Sequence, residues 1–358
     1  MIAEEQERVS GPQRRPAPSH KLLSWLNAAI GLGLLVWGVW YAAAHITLAE
    51  IGQALALADP VFIGLALLVF ILTLLAKTWR WQLQFAPNTA RPGFGAAFWA
   101  LMLGQFVNTA VSFMRLGDLA RVYALFQQTG ISKMEGLGTL VLEKTLDLLM
   151  LVLTLVIILP FVVVPAFITE QGVVLGLAGL LAFTVLYLVA YQTQWVLRLA
   201  EVLVRPLPAK INGRLLRFTA SGLAGLAAMR SKKTLLGLLA RSVLIAALAV
   251  LMPYTLFPAF HLPFGLTEAV LINLGVSVAA AIPVPTPAKI GIFEFAVVFM
   301  MRQFGYTDEA VALSYALVFH LLILGPQIVL GIIAAWRTDW RWSKTAVSPT
   351  EPPPAPTL

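Results

Sequence analysis

The sequence predicts an all-α, polytopic integral membrane bundle with two re-entrant or broken helical hairpins, arranged as an inverted-topology repeat. Three observations carry this. Of 358 residues, 59% are apolar and 12% charged, against roughly 45–50% and about 25% in soluble domains. The apolar residues gather in runs long enough to cross a hydrocarbon core about 30 Å thick at about 1.5 Å per residue. Finally, the order span, broken hairpin, span occurs twice. Mean hydropathy of +0.84 agrees. The net charge of +8 would suggest nucleic acid in a soluble chain. Here Lys and Arg in inner loops account for it, and no nucleic-acid partner is expected. The absence of Cys excludes disulfides, thiolate metal sites and a Cys nucleophile.

Residues 1–20 are polar and Pro-bearing and read as a disordered cytoplasmic tail. The transmembrane domain covers 21–342, and residues 343–358 (SKTAVSPTEPPPAPTL from 343) form a second, Pro-rich cytoplasmic tail. The run Leu22–Ala44 resembles a signal peptide ending in three alanines, but it exceeds the about 7–15 residues of a signal core and reads as a retained anchor. Arg14, Arg15 and Lys21 place its start inside, and the Lys- and Arg-free loop with Glu50 and Asp59 lies outside. Val61–Ala76 returns, with Lys77, Trp79, Arg80, Trp81 and Arg91 marking the inner interface. Phe94–Phe113 and the short helix Leu116–Gln127 must together begin and end inside. About 12 residues cannot span, so they read as a re-entrant hairpin turning at Ser112–Arg115. Leu137–Leu159 and Val173–Tyr191 follow. The basic segment 194–233 reads as a cytoplasmic amphipathic helix on anionic headgroups. Leu235–Phe257 leads to a second hairpin, Leu266–Ile282 and Ile290–Met301, broken at Pro283-Val284-Pro285-Thr286-Pro287. Ala310–Trp336 ends inside. The two halves start on opposite sides, as in transporters whose broken helices meet at a substrate site. Three full late crossings have the same parity.

Ionisable side chains at a span centre cost at least about 2.5–3.5 kcal/mol each, so each needs a reason. Asn108, Arg115, Asp118 and Arg121 form the first group. Arg115, Asp118 and Arg121 recur at i, i+3, i+6 and share one side of a helix. Two guanidinium groups around one carboxylate leave donors to hold a phosphate; snorkelling to an interface is the plainer reading. Glu143, Lys144 and Asp147 form the second group. The two carboxylates share a face at i, i+4 and would answer Arg115 and Arg121 across the hairpin, or would stitch helices together. The third group is PVPTPAKIGIFEFA. Pro283, Pro285, Pro287 and Gly291 break the helix and free backbone groups. Lys289 opens the next helix against its dipole, which calls for an anion, and Glu294 lies deeper; a structural kink is the alternative. His320 reads as a satisfied core histidine, Arg241 as a snorkelling residue, and Gly172-x-x-x-Gly176 as close helix packing. No metal ligands, cofactor motif or catalytic pattern is found.

The blocks NTAVSFMRLGDLARVYALFQQTGIS, TLVLEKTLDLLML and PTPAKIGIFEFA resemble the three motifs of the lysylphosphatidylglycerol synthase transmembrane-region (flippase-like) family. Asn108, Arg115, Gly117, Asp118 and Arg121 match the first. Glu143 and Asp147 match the second, with Lys144 where Arg is usual. Pro287, Gly291 and Glu294 match the third, but Ala288 and Lys289 stand where glycines are expected. The resemblance implies an inner-membrane lipid flippase or lipid-binding transporter for an anionic headgroup, in a bacterial or archaeal cell, without a cofactor or covalent chemistry. Arg115, Arg121 and Lys289 would grip the headgroup, with Asp118, Glu143, Asp147 and Glu294 as counter-charges or proton carriers. A lipid-modifying enzyme, and a partner presenting lipid to a synthase or glycosyltransferase, are the alternatives.

Overall fold

The computed structural model describes residues 48–85, 91–110, 116–158, 191–205, 209–281 and 286–338, with scattered positions between 177 and 189. Both tails, the anchor Leu22–Ala44, the turn Ser112–Arg115, Gly172, Gly176 and most of Val173–Tyr191 lie outside the described residues. All described regular structure is helical. In chain order the α-helices are α1 (Leu48–Ala56), α2 (Pro60–Gln84), α3 (Phe94–Ala110), α4 (Leu116–Thr129), α5 (Lys133–Ile158), α6 (Thr193–Val204), α7 (Ala209–Ala224), α8 (Lys232–Leu256), α9 (Leu266–Ala281), α10 (Ile292–Gln303) and α11 (Glu309–Arg337).

Local chemistry sets these boundaries. Asp59 begins α2, its carboxylate accepting from Val61 N–H at 2.8 Å just ahead of Pro60 at the first helical position, both favoured N-terminal devices. Ser231 and Asp308 cap α8 and α11 in the same way. Three helices, Pro60–Gln84, Lys232–Phe260 and Glu309–Arg337, are long and apolar enough to cross a membrane. The protein is a multi-pass membrane protein. Its exposed Leu, Ile, Val and Phe side chains (Leu68, Leu72, Leu236, Val278 and Leu321 among them) face what lipid would cover.

The packing follows a repeated scheme. Helices α2 and α8 run against each other. Helix α3 pairs with α4, and α9 with α10; α4 packs on α5, and α10 on α11. Across the halves, α11 lies against α3, and α5 against α9. A core of Trp81, Met102, Leu256, Phe257, Ile272, Tyr315 and Phe319 binds these elements.

Two expectations need correcting. Helix α2 does not stop at Ala76 but runs on to Gln84, because Arg80 and Trp81, expected at the inner interface, are buried at 2% and 0% exposure. Segment 194–233 is not one amphipathic helix. It holds α6, α7 and a 3-10 turn, Ala227–Arg230, and its second half docks on α5 through Leu223, Leu226, Met229, Leu142 and Leu146. Exposed apolar side chains remain on both helices, Trp195, Leu199 and Val202 on α6 and Leu215 and Phe218 on α7.

Candidate functional site

The site is assembled by a close crossing of α3 and α4. A Cβ on Gly117 would lie 1.9 Å from the Gly104 carbonyl oxygen, and one on Gly104 would lie 2.7 Å from the Gly117 oxygen. Only glycines allow backbones this near. Asn108 completes the crossing: Gly117 N–H donates to its Oδ1 at 2.8 Å, satisfying an orphan donor in the first turn of α4. With α4 so placed, Asp118 and Arg121 face α5.

Arg121 is 3% exposed. Its Nη2 donates to Glu143 Oε1 at 3.0 Å and lies 3.6 Å from Asp118, while its guanidinium covers the Trp81 ring at 5.0 Å. Trp81 is fixed in turn, donating Nε1–H to Thr139 Oγ1 at 3.0 Å. Lys144 bridges Asp118 at 3.5 Å and Glu143 at 3.9 Å. Asp147 does not join Glu143 on this arginine. It takes Arg80 from α2, at 2.6 Å, and Arg80 also donates to Ser242 Oγ on α8 at 3.1 Å. The result is one belt of alternating charge across α2, α4 and α5, with Lys77 one turn before Arg80 within electrostatic reach of Asp147 and Glu143.

The third block forms a separate site. Pro283 and Pro285 lie outside the described residues. From Thr286 onward the chain makes a 3-10 turn, Pro287–Lys289, with Ala288 at φ 54° and Lys289 at φ 59°. Both sit in the left-handed region where L-residues are strained, at the positions that glycine occupies in the motif. Helix α10 starts only at Ile292, so Lys289 is not in its first turn. Its ammonium donates to the carbonyl oxygen of Ala280, near the end of α9, where helix carbonyls lack partners and favour a cation. A helix C-terminus is thus one partner of this ammonium.

Glu294 reaches back to accept from Gly291 N–H at 2.7 Å, and its other oxygen lies 2.6 Å from His320 Nδ1. His320 is buried, stacked on Phe293 at 4.2 Å, with Nε2 3.0 Å from the Ala288 carbonyl oxygen. The reading of His320 as satisfied is met, but its partners make it part of the third block. Arg241 stacks on Trp79 at 4.0 Å.

Of the predicted residues, the structure brings Asp118, Arg121, Glu143, Lys144 and Asp147 together, with Asn108 behind them. Glu294, Gly291, Pro287 and Lys289 form the second cluster. Arg115 lies outside the described residues. Sequence reasoning missed Arg80, Trp81 and His320. No local signal marked Arg80: its flanking tryptophans take Arg121 and Arg241, and its own partners, Asp147 and Ser242, come from other helices. Among the described residues no group of three His, Asp or Glu converges to hold a metal.

The model of a family described as "Lysylphosphatidylglycerol synthase TM region" matches residues 28–331 of the chain. No curated protein and no solved structure matches it.

Proposed function

The chain belongs to the lysylphosphatidylglycerol synthase TM-region family, and from that membership we propose that it is a lipid flippase or lipid-binding transporter. It moves an anionic phospholipid or lipid-linked headgroup across the inner membrane of a bacterial or archaeal cell, with both termini cytoplasmic and no covalent chemistry of its own. A lipid synthase or glycosyltransferase would supply or consume the lipid.

The observation that carries this is the charge belt in apolar helices. Charged groups in a span are costly and mark substrate paths. The side chains of Lys144 and Asp147 are 44% and 45% exposed, so the belt is open on one side. On that open side the Lys144 ammonium is the donor within reach of a headgroup phosphate.

Architecture supports the same reading. Exchanging α2 to α5 for α8 to α11 maps every observed pairing among these eight helices onto an observed pairing, α2–α8 onto itself, as an inverted repeat requires. The hairpin arms α10 and α4 have 12 and 14 residues, about 18 and 21 Å of helix, too short for a core of about 30 Å. They are re-entrant in this reading.

The test is reconstitution into phosphatidylcholine vesicles carrying trace fluorescent phosphatidylglycerol, with dithionite bleaching from outside. Wild-type protein should expose both leaflets, and Arg121→Gln should slow exposure about tenfold, roughly 1.4 kcal/mol. An unbleached inner leaflet with wild-type protein, or chemically altered lipid after incubation in detergent, would overturn the reading.

A further inference from the structure

We propose that Glu294 and His320 form a proton-binding site whose bound proton holds the 286–291 break in place; that this proton is the ion coupled to lipid movement rests on the transporter reading above.

Hydrogen-bond inventory leads there. A carbonyl oxygen only accepts, so the 3.0 Å contact of His320 Nε2 with Ala288 O requires a hydrogen on Nε2. A neutral ring then presents a lone pair at Nδ1. An ionised Glu294 presents lone pairs too, and two acceptors do not meet at the 2.6 Å observed. One more hydrogen must lie between them. Either Nδ1 carries it, making an imidazolium–carboxylate pair, or Glu294 Oε1 carries it and donates to Nδ1. In both states the pair is neutral and holds one proton more than a neutral imidazole beside a carboxylate. Glu294 cannot turn away to escape the clash, because its second oxygen accepts from Gly291 N–H.

The charged side chains of the surrounding described helices have contacts or positions of their own. The ammonium of Lys289 donates to Ala280 O. Helix α3 presents only uncharged Gln105, Asn108 and Thr109. The remaining charges of α10 and α11, Arg302, Glu309 and Arg337, lie at helix ends, and Glu268 opens α9. Lys77 and Arg80 of α2 face Asp147. On α8, Lys232 and Lys233 sit in the first turn, and Arg241 stacks on Trp79. Loss of the proton therefore leaves a buried anion and an acceptor facing an acceptor. Moving the one remaining ring proton from Nε2 to Nδ1 restores the bond to Glu294 but takes the donor away from the Ala288 carbonyl. Positive φ at Ala288 and Lys289 persists only while neighbours over-determine it, so the break relaxes. The proton is bound at lower pH and the break opens as pH rises.

Full-length protein labelled with ¹⁵N-histidine and ¹³C-glutamate, in phosphatidylglycerol-containing nanodiscs, reads the site directly, with His320→Gln and Glu294→Gln assigning the signals. At pH 7, His320 should show either both ring nitrogens protonated or a protonated Nε2 beside a protonated Glu294. One ring proton beside an ionised Glu294 would overturn the proposal. Because the chain has no Cys, Thr286→Cys, buried in the break, reports opening. Its labelling by a permeant maleimide, divided by that of T286C/E294Q, should rise about tenfold once the proton leaves, equivalent to about 1.4 kcal/mol. Gln at 294 donates to Nδ1 and accepts from Gly291 permanently, so the double variant stays closed. A constant ratio across pH overturns the proposal. Vesicles that scramble no lipid while the NMR signals stand would fell the transporter reading alone.

Discussion

Arg80 occupies a place where a cation beside tryptophans suggests the membrane surface, yet it is buried against Asp147 and Ser242. Its carbon stem and guanidinium are enclosed because α8 runs along α2 and supplies Ser242. That neighbour is 162 residues away in the chain, and no local pattern reveals it. Glu143 and Asp147, one turn apart, are thereby divided between two arginines from two helices. Double-mutant cycles should show this division. Arg121→Ala removes the only hydrogen-bonded cation of Glu143 among the described residues and should cost about 3–5 kcal/mol, with partial rescue by Glu143→Gln. Arg80→Ala should cost less, about 2–3 kcal/mol, because Asp147 is 45% exposed and water or lipid headgroups screen it. Rescue there should come from Asp147→Asn and not from Glu143→Gln. Thermal unfolding in detergent checks all four, and rescue across the pairs would show a single shared network.

At the scale of the element, the two hairpins solve their turns by opposite means. The first uses Gly104 and Gly117 for backbone contact and Asn108 as a cap. Gly117→Ala should therefore lose about 3 kcal/mol or fail to fold, since its Cβ meets backbone rather than a movable side chain. The second places Ala288 and Lys289 in left-handed conformations without glycine. Ala288→Gly should relieve strain and raise stability by about 1 kcal/mol. Lys289→Gly gains similar relief but loses the ammonium from the end of α9, so its melting temperature should move little. A clear fall in Tm for Ala288→Gly would mean that the break is not strained. The motif's departure from glycine was legible in the sequence. Its consequence was not, because a positive φ becomes visible only where the chain is bent.

For the whole molecule, the paired packing of the two halves predicts sidedness. Single-cysteine variants at His261 and Thr307, both exposed, should label from one face of the membrane. Those at Gln128 and Lys232, also exposed, should label from the other. Ile290→Cys separates the two late arrangements. In a re-entrant hairpin it resists impermeant reagents added on the Gln128 side, whereas in a full crossing it labels there freely. Labelling of His261 and Thr307 from opposite faces would remove the inverted repeat.

The sequence by itself determined the membrane class, the order of the helices and the family, because hydropathy runs, Pro and Gly breaks and short motifs are local and survive without contacts. It also marked Asp118, Arg121, Glu143, Asp147 and Glu294, since a charge in an apolar run is conspicuous wherever it points. Which charge meets which was decided only by the tertiary structure. A buried carboxylate needs a cation or a hydrogen-bond donor at about 3 Å, and that partner can come from any helix in the bundle. Asp147 found Arg80, Glu294 found His320, and Lys289 found the Ala280 carbonyl, each through packing between segments that the linear chain keeps apart.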